Sequence, residues 1–155
     1  MGLLAWLVFT LLPDEEKAIR SLLVRLVQAA AIKPKDSGFA RLAYADRLAA
    51  YFTTNVDIQV EGFGADFSSI NGRAELVQAA LAARAQLRQA EFSLADVHIK
   101  FPPEERKANA YVVITGQINY ETNQFGQALR MVLVKDNGQW LISHVHTVQN
   151  AEYPP

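Results

Sequence analysis

An α+β domain, with helices packed on one face of a largely antiparallel sheet, is the fold class the sequence predicts, on three observations. Apolar residues recur at helical spacing in three blocks of the first half of the chain. The second half switches to alternating runs rich in β-branched and aromatic residues, bounded by turn residues. Between the last two runs stands Asn137-Gly138, the strongest short hairpin signal, because a type I′ turn needs positive φ at both central positions. Helices first and consecutive strands afterwards argue for helices layered on a sheet.

The elements follow in order. Pro13 suits the first position of a helix, and Asp14, Glu15 and Glu16 complement the helix dipole. Ile19, Leu22, Leu23, Leu26, Val27 and Ala30 then keep the spacing of an amphipathic helix, which ends at the Lys33–Gly38 cluster. A second helix is expected from Phe39 to Phe52, broken by Thr53-Thr54-Asn55, with a short strand from Val56 to Glu61. Gly62, Gly64 and Ser68-Ser69 mark a loop. Asn71 is positioned to cap a third helix from Gly72 to about Gln89, with Leu76, Val77, Ala80, Leu81 and Leu87 on its apolar side. Four strands complete the chain: Phe92–Phe101, Tyr111–Tyr120, Ala128–Lys135 and Gln139–Val148, with an exposed turn at Pro102–Glu105.

With 155 residues, half of them hydrophobic, the chain suits one domain with a genuine core. The organisation expected is an apolar segment over 1–13, a folded domain over 14–150 and a tail over 151–155. The formal net charge is −1 and the charges are mixed along the chain, so nucleic acid is a poor partner. The absence of cysteine excludes disulfides, thiolate metal sites and a Cys nucleophile, and assigns no compartment. Leu3 to Leu12 read LLAWLVFTLL, broken only by Thr10, about half of the ~20 residues needed to span a bilayer. Three readings compete: a remnant of a membrane anchor, a packing arm, or a loose tail. The first makes the protein membrane-tethered or exported, and the others leave it cytoplasmic.

The order helix, helix, short strand, helix and long meander resembles the nuclear transport factor 2-like superfamily over roughly Asp14 to Gln149. The segment Ile70-Asn71-Gly72-Arg73-Ala74-Glu75-Leu76 looks like the start of that superfamily's third helix. The hairpin Leu129–Trp140 with Leu141–Thr147 is similar to the last strands of SnoaL-like bacterial proteins and of the calcium/calmodulin-dependent kinase II association domain. The resemblance implies a cystatin-like cone: a curled antiparallel sheet with three N-terminal helices on its concave face. It does not imply one function, since the superfamily holds isomerases, dehydratases, cyclases and assembly domains alike.

Candidate residues come from hairpin register. With Asn137-Gly138 as the turn, Asp136 opposes Gln139 and Arg130 opposes Val145. Period-two alternation then gathers Arg130, Val132, Val134, Leu141, Ser143, Val145 and Thr147 on one face. A preceding turn at Thr122-Asn123 sets Thr115 opposite Arg130, with Tyr111 and Gln117 on the same face. Apolar walls with a few polar groups are what a ligand pocket needs. The expected ligand-binding set is therefore Arg130, receiving an anion, with Gln117, Thr115, Tyr111, Ser143 and Tyr51; an internal ion pair of Arg130 with Asp57 or Glu61 is the competing reading. Leu129, Met131, Leu133, Trp140 and Ile142 fall on the opposite face with His144 and His146, a bulky stripe that needs cover and so motivates a homodimer through the sheet.

Catalytic candidates are Asp57, where the resemblance implies a carboxylate near the cone mouth, and His144 or His146 as acid–base groups. His144-Val145-His146, with His98 as a third ligand, could in principle hold a metal, but no carboxylate is fixed nearby, so no metal is expected and no cofactor. Tyr44 and Tyr51, two helical turns apart, read as packing, and Gly62-Phe63-Gly64 reads as a loop, not a phosphate cradle. The leading expectation is a non-catalytic domain that binds a small anionic or apolar molecule in its cone and self-associates through the sheet. The alternatives are a cofactor-free isomerase, dehydratase or cyclase using Asp57 or a His, and a membrane-tethered accessory domain of an envelope assembly.

Overall fold

The structure, a computed structural model, describes residues 2–34, 37–61, 69–103, 106–120 and 125–148, with side chains from residue 14 onward. Its elements run α1 (Gly2–Ala30), α2 (Gly38–Ala49), β1 (Phe52–Gln59), β2 (Ser69–Asn71), α3 (Arg73–Gln86), β3 (Ala90–Lys100), β4 (Lys107–Ile118), β5 (Phe125–Asp136) and β6 (Gln139–Thr147). The six strands form one curled sheet in the order β2-β1-β6-β5-β4-β3. Neighbours are antiparallel except β1 and β6, which run parallel. That parallel contact closes the two halves of the chain: β1, set between helices, zips onto the last strand of the meander.

Boundaries depart from the sequence expectation where local context outweighs propensity. Helix α1 begins at Gly2 and runs through Pro13 instead of starting there. Ser37 caps α2 by accepting the Ala40 N–H at 3.2 Å. That helix stops at Ala49, so Phe52 opens β1 and Thr53-Thr54-Asn55 belong to the strand, as β-branched residues favour. Asn71 does not cap α3. It pairs with Asp57 in the short strand β2, and Gly72 takes the cap position at φ 93°, where a side chain would be strained. The Thr122-Asn123 turn, Gly62, Gly64 and Ser68 lie outside the described residues.

Register settles which face is which. Asp136 opposes Gln139, as expected. The ladder then bulges: Leu133 opposes Ile142, Val132 opposes His144, and Ser143 is the extra residue. Arg130 therefore opposes His146, not Val145. On its other side Arg130 opposes Tyr111, and Thr115 opposes Gly126. The bulge turns His144 and His146 onto the Arg130 face and turns Val145, which is 5% exposed, into the core.

The helices cover the face opposite to the one the alternation suggested. Ile19, Leu22, Leu23, Leu26 and Val27 of α1 pack on Leu129, Met131, Leu133, Trp140 and Ile142, all buried. The stripe expected to seek a second copy is the core of the chain itself. Arg130, expected to line the cone, is exposed on the open face. The physical reason is plain: period two sorts residues into two faces, and the more uniformly apolar face wins the helices.

A polar clasp ties α1 to the β5–β6 hairpin. The Glu15 carboxylate accepts from Lys135 Nζ and from Trp140 Nε1, each at 2.6 Å. The Lys135 hydrogen bond holds the Glu15 carboxyl below its ordinary 4.5, against the opposing effect of burial, with the Trp140 bond and the Lys135 charge adding to it. A depressed carboxylate contributes stability above its unfolded value and loses it as the pH falls through its folded one. Acidification below about pH 4.5 is accordingly expected to lower the urea midpoint of the wild type more steeply than that of Glu15→Gln. Parallel pH profiles for the two proteins would contradict the clasp.

Candidate functional site

The residues singled out in the sequence divide between two places. On the open sheet face, neighbouring strands align His98, Tyr111, Arg130, His146 and Gln59 in one cross-sheet row. Asp57 opposes His144 one step along. Thr115, Gln117 and Ser143 share this face. Tyr51 does not; it lines a cleft on the helical side. The three catalytic candidates, proposed as alternatives, are thus brought together, and the ligand-binding set is gathered on an open face instead of inside a cone.

The cluster has defined chemistry. His146 Nε2 stands 3.9 Å from Asp57 Oδ2, too long for a hydrogen bond and suited to an ion pair once the imidazole is protonated. The His144 and His146 rings meet edge to face with centroids 5.9 Å apart. Ser143 Oγ donates to the Val132 carbonyl at 3.1 Å and stands 2.9 Å from His144 Nδ1, within hydrogen-bond reach of that ring nitrogen. Two groups capable of acid–base chemistry stand side by side here, but no wall of described residues encloses them: His144 is exposed, and Asp57 and His146 are only half-buried. His98 is three strands away from His146, about 14 Å at the usual spacing, and pairs with Asp96 at 3.1 Å. It cannot complete a metal site, and the described residues hold no group of three His, Asp or Glu placed for one.

The interior of the cone is filled. Val56, Val112, Leu133 and Ile142 are completely shielded at its centre. Two adjoining concavities lie at the ends of the helices. Tyr51 and Tyr44 line a cleft of about 240 Å³ with Arg25, Lys33 and Arg47. It adjoins a second, of about 400 Å³, bounded by Lys33, Arg41, Arg84 and Arg88. None of the described lining residues is acidic.

Arg84 is 4% exposed, donates to the Ala29 carbonyl at 2.9 Å, and sits 5.0 Å from the Tyr44 ring centroid. Arg47 lies over the same ring at 5.4 Å. The sequence reading passed over this cluster, although Arg84 follows Leu76 and Ala80 at helical spacing and so had to fall on the buried stripe of α3. A larger groove of about 710 Å³ opens between the Pro102-Pro103 turn and Trp140, beside the Glu15 clasp. The carboxylate, indole N–H and ammonium there already satisfy one another.

A SnoaL-like domain model matches residues 15–146. No curated protein matches the sequence. Among solved structures, a Nostoc punctiforme protein of unknown function with a cystatin-like fold is 15% identical, with 90% of this chain and 93% of that one covered at a TM-score of 0.66. A Pseudomonas putida protein described as NTF2-like and of unknown function is 14% identical over 87% of this chain and 86% of its own, at 0.69. A Novosphingobium aromaticivorans structure with the provisional name scytalone dehydratase is 18% identical over 88% and 85%, at 0.64. At these identities the likeness is one of fold.

Proposed function

Because this chain belongs to the SnoaL-like domain family, whose fold hosts many activities, its own surfaces must carry the functional reading, and we propose that it is a binding domain that self-associates through its open sheet face. The observation behind this is the composition of that face. Tyr111, Val113, Val132, Val134 and Leu141 form a half-buried apolar centre, and α1 and α3 pack on the other side of the sheet. Charges of both signs border the centre: Arg130 and the histidines, with Asp57, Asp96 and Asp136. An apolar middle with a mixed polar rim is self-complementary in the way an isologous dimer requires. Val132→Asp places a carboxylate in that middle without touching the core. Sedimentation velocity is expected to show a dimer for the wild type and at least a tenfold weaker one for Val132→Asp, about 1.4 kcal/mol or more, with unchanged far-UV circular dichroism. A wild type that sediments as a monomer at all concentrations sinks this reading.

The ligand belongs on the helical side, not on the Arg130 face. Five arginines and one lysine lining two adjoining clefts with Tyr44 and Tyr51 fit a small anion carrying a flat ring, such as an aromatic carboxylate. Part of this charge serves the helix ends, since Arg84 caps a carbonyl of the last turn of α1. The other cations, Arg25, Lys33, Arg41, Arg47 and Arg88, share these clefts with no acid among the described lining residues.

A further inference from the structure

We propose that the first turns of α1 insert into the apolar interior of a lipid bilayer and seat the domain on a membrane surface. This rests on features independent of the sheet face. Helix α1 is one continuous element from Gly2 to Ala30, so the apolar run and the core-packing segment are parts of a single rod. The two parts differ in pattern. From Ile19 to Val27 the buried positions form one stripe, as for a helix lying on a sheet. From Leu3 to Leu12 only Thr10 is polar, which leaves no polar stripe at helical spacing. A helix with one apolar stripe suits one protein surface; one apolar on every side demands apolar surroundings all round, which lipid supplies and a single partner face does not.

Length sets the depth. Gly2 to Leu12 rises about 16 Å at 1.5 Å per residue, roughly half of a hydrocarbon core of about 30 Å. No helix among the described residues is long and apolar enough to cross a membrane. Residues 2–12 thus reach as deep as one leaflet, and the helix re-enters water at Asp14, Glu15 and Glu16. Glu15 is the residue clasped by Lys135 and Trp140, so the rod is fastened to the β5–β6 hairpin one turn after the apolar run ends. Pro13, between the two, removes one helical hydrogen bond and allows a bend at the interface. The three acids at the boundary add no attraction for anionic headgroups, so apolar insertion and not charge is the driving term.

The full chain is to be floated with vesicles of phosphatidylcholine alone and with added phosphatidylglycerol. Flotation with both lipids is expected, with a blue shift of Trp6 emission; Trp140 is 8% exposed and held by Glu15, so its emission stays constant. Leu7→Asp with Val8→Asp should reduce partitioning at least about tenfold while the melting transition of the domain is retained. Trp6→Phe should float normally and lose the shift. A chain that never floats, that floats only with anionic vesicles, or that floats equally well as the double variant overturns the proposal. So does a lipid-free oligomer that the double variant dissolves and that vesicles leave intact, since the segment would then pair with its copies.

Discussion

Leu133→Asp is expected to abolish the folded state. Leu133 is completely shielded at the centre of β5, where it opposes Ile142 and meets the α1 stripe. Removing the side chain alone costs about 2–5 kcal/mol, and a carboxylate there has no cation to meet, which adds several kcal/mol more. Against a total stability of about 5–15 kcal/mol, the sum leaves little or nothing. Loss of the cooperative thermal transition and of near-UV circular dichroism would be the readout. The same substitution tests which sheet face is inward: had the helices covered the Arg130 face, Leu133→Asp would leave a soluble folded protein.

Trp140→Ala is expected to cost about 3–5 kcal/mol, through the cavity left by the indole and the bond withdrawn from Glu15. Trp140 is 8% exposed, Phe101 lies against it with ring centroids 6.3 Å apart, and its N–H reaches Glu15 across the sheet–helix boundary. Trp140→Phe should recover most of the packing but not the hydrogen bond, placing it between the two in urea midpoint. Equal losses in both variants would mean that the indole N–H, and not the ring, carries the contribution. A loss under 1 kcal/mol for Trp140→Ala would contradict the assignment of this residue to the core.

The sequence carried most of the architecture because its signals were local. Helical spacing at Ile19 to Val27, alternation through β4 to β6, and Asn137-Gly138 all act within a few residues, and the register next to that turn followed from it, from Asp136 opposite Gln139 to Leu133 opposite Ile142. The failures were non-local. The alternation of β5 sorts two faces, and which one the helices take is settled only by comparing their apolar content across several strands, where Leu129, Met131 and Leu133 join Trp140 and Ile142. One extra residue at Ser143 was enough to move His144 and His146 across the sheet, and a bulge has no composition signature of its own. Strand β2 is three residues long and exists by pairing with β1. At the candidate sites, Asp57, His144 and His146 were legible one by one and their meeting was not, since β1 and β6 are joined by a parallel contact across most of the chain. The basic clefts depend on the ends of three helices converging, which no single stretch records.

The most direct test of self-association through the open face uses the absence of native cysteine. One nitroxide spin label at a time would be placed at Val132→Cys, in the middle of that face, and at Phe39→Cys on α2, where the native side chain is 90% exposed. Pulsed dipolar spectroscopy of each singly labelled protein reads only distances between copies. The account predicts a short, narrow distance distribution for the Val132 label and a longer one for the Phe39 label. A short distance from Phe39 with none from Val132 would put the contact on the helices and contradict it.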